Sequence, residues 1–182
     1  MSGPAGGAAA PDLILPVIGY RQWRLGDAAL WSAYMDDRWV RGVNTAACRA
    51  DRRHAEPAPG HDCTCGIHAW YRPCPRLASP ATSPLVAGAV ALWGEIELHA
   101  TGMRAQYAMV LALVRPLLTK AKRRSVVEAA DRLEVEAVPA RRLRAAALAH
   151  GAPVPAGMTP PALRSPGAAA LAQTRRTGQG VA

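Results

Sequence analysis

Four residues of this chain have the types and spacing of a metal site: Cys48, His54, Cys63 and Cys65. The stretch HAEPAPGHDCTCGIHAWYRPC, from His54 to Cys74, holds three of the four cysteines and three of the five histidines. A tetrahedral Zn2+ takes four thiolate or imidazole ligands at ~2.0–2.3 Å. In an extended Cys-x-Cys segment alternate side chains point the same way, so Cys63 and Cys65 can share one ion. Cys48 brings a third sulfur from upstream, and His54 is spaced for the fourth position. Cys74 is its rival and would make an all-sulfur site; His61 and His68 are weaker rivals. Four protein ligands fill the shell, so such an ion contributes stability and leaves no open position for substrate. An iron–sulfur cluster could use the same ligand types. The alternatives are reduced, unliganded cysteines in a loop, or a redox or disulfide role.

Two other groupings could do chemistry. Glu95, Glu97 and His99 alternate along one stretch, where two carboxylates and an imidazole could form a hydrolytic pair or a metal triad. The competing reading is the solvent end of an antiparallel strand. His99 and Arg104 can face each other across a turn at Thr101–Gly102, a second candidate ligand site. AGAVALWG lacks the Lys-Ser/Thr of a phosphate loop, and no serine lies in a nucleophile-elbow pattern. The five Trp are assigned to the core, because a chain without Phe must fill its interior with other rings.

These residues need elements to position them. VIGYRQWRL and ALWSAYM read as a hairpin joined at Gly26–Asp27. DDRWVRGVNTAAC reads as a connection leading to Cys48. From Cys48 to Pro84 the chain is proline-broken and mostly loop, improbable inside a compact domain unless something ties it down. PLVAGAVALWGEIELHATG reads as a strand whose even positions, Val86 to Leu98, form an apolar face. MRAQYAMVLALV follows the turn as a second strand, with a helix as the alternative because Ala, Met and Leu favour one. Pro116 opens a helix through PLLTKAKRRSVVEAADRLEVEA, and PARRLRAAALAHG is a second helix stopped by Gly151. Strands first and helices last make an α+β fold: an antiparallel sheet with a metal-stapled Cys/His loop, followed by C-terminal helices. The domain boundaries expected are 1–12 and 152–182 as disordered, Pro/Ala/Gly-rich ends around a single domain at 13–151.

Charge is unevenly placed. Residues 1–99 carry nine Arg against nine acids, while residues 100–182 carry eleven Arg and two Lys against four acids. The net charge of +9 therefore arises wholly in the second half. Lys120, Lys122, Arg123, Arg124, Arg141, Arg142 and Arg144 are candidate phosphate contacts for a nucleic acid; the plainer reading is a solvated helix face. No stretch approaches the ~18 apolar residues of a membrane helix, and Pro16 breaks the only early apolar run. The expected compartment is the cytoplasm, where clustered thiols favour metal over disulfide.

GYRQW, Cys48 with HAEPAP, CTCGIHAW and VAGAVALWGEIELHATGMRAQYA together resemble an uncharacterised family of small actinobacterial proteins. Its pattern runs GYR-x-W, a Cys, H-x-A-P, C-x-C-G-[IL]-Y-A and W-G-x-V-x-x-H-x-x-G-x-R-A-x-x-A. The resemblance spans about Gly19 to Ala108. It implies Cys48, His54, Cys63 and Cys65 as the grouped set, leaves Cys74 outside, and draws attention to His99 and Arg104. His68 stands where the family often has Tyr, and Met103 also departs from its pattern. The family brings no activity with it. The function expected is a non-enzymatic, zinc-stabilised interaction or regulatory module with a protein partner. Nucleic-acid association and an enzyme at Glu95, Glu97 and His99 are the alternatives.

Overall fold

The computed structural model describes residues 8–9, 15–49, 54, 57–73, 84–117 and 119–161. Nine strands join one sheet: β1 (Ala8–Ala9), β2 (Val17–Gly26), β3 (Ala29–Ser32), β4 (Arg38–Trp39), β5 (Asn44–Thr45), β6 (Ile67–Trp70), β7 (Leu85–Leu98), β8 (Gly102–Val114) and β9 (Glu136–Val138). All strand pairings are antiparallel except β8–β9. Helices α1 (Lys120–Leu133) and α2 (Leu143–Leu148) come late in the chain. The architecture is therefore α+β, as the order of the sequence patterns implies.

The long strands close on themselves. β7 bonds β8 on one edge and β2 on the other, while β6 pairs with β8 and meets β2 at Trp70–Tyr20. The β2–β3 hairpin turns at Asp27 and Ala28, both at positive φ (50° and 52°), with Gly26 opposite Ala29. Two central residues at positive φ are the signature of the tight turn whose twist suits a hairpin.

Both faces of β7 are buried. Val86, Val90 and Leu92 pack with Trp23, Leu113 and the α1 side chains Val126, Ala129, Ala130 and Leu133. Ala87, Ala89 and Ala91 lie opposite, packed with Ile18, Tyr20 and the α2 residues Leu143 and Ala147. Small alanine side chains on that face let a short helix sit close to the sheet, with burial worth ~25 cal/mol per Å2 of apolar surface.

Several expectations shift. The helix assigned from Pro116 begins at Lys120, because Arg115 is still hydrogen-bonded to Val138 and Thr119 is extended (φ −130°, ψ 131°). It stops at Glu134 in the left-handed region (φ 55°). The EAV at 136–138 becomes β9, since Val138 can reach the end of β8. The expected connection to Cys48 contains β4 and β5. The strand ALWSAYM ends at Ser32. Of the five Trp, Trp23 and Trp39 are buried, whereas Trp70 is 39% exposed on the outer side of β6. At the C-terminal boundary, Ala152 bridges Val17, and Val154 and Met158 pack against the core. Residues 1–7, 10–12 and 162–182 of the expected disordered ends lie outside the described residues.

Candidate metal centre

β8 arranges the site. Its second edge is shared end to end by β6, opposite Gly102–Ala105, and β5, opposite Tyr107–Ala108. β5 is two residues long and β6 four, too few ladder bonds to hold securely alone. The chain between them departs after Ala46, whose N–H still bonds to Gln106, and returns at Gly66. Cys48 stands at the departure, Cys63 and Cys65 at the return, and His54 between. Facing ends of two short neighbouring strands thus bring the four ligand residues together.

Their ligand atoms all lie within 4.8 Å of one another, and each residue is half-buried. Cys48 Sγ is 3.7 Å from Cys63 Sγ, close to the ~3.8 Å edge of a tetrahedron with 2.3 Å Zn–S bonds. His54 Nε2 is 3.1 Å from Cys65 Sγ. The cluster can hold a metal ion. His54 takes the fourth place; His61 is exposed, and His68 bonds the Thr64 carbonyl at 3.0 Å. Cys74 lies outside the described residues.

The loop backbone prepares the sulfurs for charge. The Cys65 N–H holds the Cys63 thiol below its ordinary pKa, the largest of several hydrogen-bond effects. Burial raises the Cys65 thiol, partly offset by the Gly60 N–H donating to its sulfur at 3.3 Å. Gly60 allows that approach because a Cβ there would lie 2.5 Å from His54 Nε2. Gly66 enters β6 at φ 120°, a conformation L side chains rarely adopt.

Beneath the loop sits Arg104, 5% exposed and paired with buried Glu97. Its Nη1 donates to the Cys65 carbonyl at 2.9 Å and to the Cys63 carbonyl. Its Nε donates to His99 Nε2 at 3.1 Å. Glu97 Oε1 lies 3.3 Å from the same nitrogen. Tyr71 Oη donates to the His99 carbonyl at 2.7 Å and fastens the turn. His99 and Arg104 do face each other across Thr101–Gly102, as expected, but they are occupied in supporting the Cys-x-Cys backbone. The sequence reading missed Glu97 as the partner of Arg104. The signal was present: a carboxylate and a guanidinium near a tight turn, on strands that must pair.

The Glu95, Glu97 and His99 grouping needs correction. Gly94 takes a positive φ (76°) and the β7–β8 register shifts between Trp93 and Ile96. This bulge leaves Glu95 exposed while Glu97 is buried against Arg104. Glu97 and His99 do come together, Oε1 to Nε2 3.3 Å, while Glu95 stands apart in solvent. A cavity of about 570 Å3 between the Asp27 turn and α1 is lined by Lys122, Ser125, Glu128 and Arg132, and by none of these three.

Of the basic candidates, Lys120, Arg123, Arg124, Arg141, Arg142 and Arg144 are exposed. Lys122 is half-buried, and burial lowers its pKa. Among the described residues no helix is long and apolar enough to cross a membrane. Comparison with family models, curated proteins and solved structures finds no match.

Proposed function

We propose that this chain is a non-enzymatic interaction or regulatory module whose sheet is stapled by Zn2+ bound to Cys48, His54, Cys63 and Cys65. The observation that carries the reading is the convergence of three sulfurs and one imidazole within 4.8 Å, from both ends of a loop that joins two weak strands. Three thiolates and an imidazole in tetrahedral spacing suit zinc. Full coordination by protein makes the ion structural. The same reading places the chain in a reducing compartment, the cytoplasm, and within the actinobacterial family that its motifs resemble. Exposed Tyr34, Met35, Val40 and Val43, in the segment around β4, supply apolar surface for a protein partner. Elemental analysis of purified protein tests the metal: one zinc per chain is expected, with three thiols becoming reactive only after chelation. A metal-free protein whose thiols react at once would overturn it.

A second reading rests on the six exposed basic residues of α1 and the α2 region, none of which forms an ion pair among the described residues. Nucleic-acid association through them predicts affinity that falls steeply with salt. Binding insensitive to ionic strength, or no binding at all, would reject it.

A further inference from the structure

Among the described residues Arg104 is buried and Arg21 half-buried, and of these two only Arg104 has a counter-ion. Arg104 is neutralised by Glu97. Arg21, on β2, takes part in no ion pair or hydrogen bond among the described residues, and its Nε is buried without an acceptor. Burial lowers its pKa to about 10, while the residue as a whole keeps an intermediate exposure. Its central carbon sits 4.4 Å from the Trp39 ring centroid and 5.5 Å from that of Trp23. Those two indoles meet edge to face at 5.2 Å and 81°. Trp39 Nε1 donates to Ser32 Oγ at 3.2 Å. Trp23 is fully buried, and its Nε1 has no acceptor.

Two buried donors, one on a cation, therefore stand together without an oxygen to receive them. Buried polar groups are ordinarily satisfied, and attraction to indole faces replaces only part of a guanidinium's hydration. Ordered water could accept the two N–H bonds but would not balance the charge. The geometry points to a binding site for a small organic carboxylate, its oxygens accepting from Arg21 and from Trp23 Nε1 beside the Trp23–Trp39 pair. A planar carboxylate matches the guanidinium fork, and its single charge balances that of Arg21. Tetrahedral, doubly charged phosphate would need more donors than these two. The site is independent of the metal reading.

Acetate and benzoate titrations of the intact protein test it, followed by thermal unfolding and by the indole N–H resonance of Trp23, assigned through W23F. Chloride and phosphate at matched ionic strength serve as controls. Expected are a saturable rise in Tm and a shifted Trp23 resonance with the carboxylates. R21M should lose both effects, and W23F should weaken binding about tenfold, the loss of one charge-assisted hydrogen bond. R21K, which keeps the charge without the fork, should retain less than half of the Tm rise and reports on the site should R21M fail to fold. The proposal is overturned by the absence of saturable binding, by an undiminished response in R21M or R21K, or by an equal response to chloride. A response to phosphate alone overturns the carboxylate assignment.

Discussion

Arg104 Nη1 donates to the carbonyl oxygen of Cys65 at 2.9 Å, so the buried cation of β8 grips the backbone of a candidate metal ligand. The same guanidinium reaches Glu97 on β7 and His99 just beyond that strand. One side chain thus joins the long hairpin to the Cys-x-Cys segment. Partners behind the ligands commonly decide how well a metal site is formed.

Removing that grip should weaken both fold and metal binding. R104M leaves Glu97 buried without its cation, and loss of one partner of such a pair costs ~3–5 kcal/mol. Zinc affinity should fall ~10–100-fold, the usual effect of losing a supporting contact. Chelator competition and thermal unfolding measure the two effects. R104K should fall between wild type and R104M, because an ammonium cannot reach both carbonyls and Glu97 with a rigid fork. Wild-type zinc affinity in R104M would show that the contact does not support the site.

Metal removal should act locally before it acts globally. β5 and β6 meet the sheet through few pairs, so chelation should first increase amide hydrogen exchange at 44–46 and 67–70. The β7–β8 core should remain protected. Acid should act in the same direction, because thiols must lose protons to bind metal and a falling pH returns them. Exchange that rises uniformly across the sheet would contradict a local staple.

Gly60 provides a substitution that leaves every ligand in place. A methyl there would lie 2.5–2.8 Å from the His54 ring. G60A should push the imidazole aside and cut zinc affinity by at least tenfold, a loss of ~1.4 kcal/mol. Competition against a chromogenic chelator would reveal it; unchanged affinity would mean that His54 is not a ligand.

At the end of α1, Glu134 occupies the left-handed region with φ 55°. A non-glycine residue there costs ~1 kcal/mol, and its ion pair with Arg41 is largely exposed, hence worth little. E134G should therefore raise stability by ~0.5–1 kcal/mol in denaturant unfolding. A decrease would assign the Arg41 contact more weight than its exposure suggests.

Local pattern was sufficient for some elements and silent on others. Alternation along 85–98 and the Gly102 turn mark the central hairpin, and apolar spacing at Val126, Ala129, Ala130 and Leu133 marks the buried side of α1. Such signals survive because each face meets one environment throughout. β5 and β9 left little trace, as strands of two and three residues are too short for periodicity to register. The bulge at Gly94 inverted the expected relation of Glu95 to Glu97, since one extra residue changes which side chains face inward.

The amino-acid sequence by itself determined the α+β order and the set of ligand types, because composition and spacing are properties of the chain. It could not decide among His54, Cys74, His61 and His68, nor pair Glu97 with Arg104, nor leave Arg21 without a counter-charge. The structure brings His54, and not His61 or His68, to the three cysteines and pairs Glu97 with Arg104, because β6 and β5 share one edge of β8 and their adjoining ends draw distant residues together. Contacts across tens of residues depend on strand register, and register is a property of the assembled sheet.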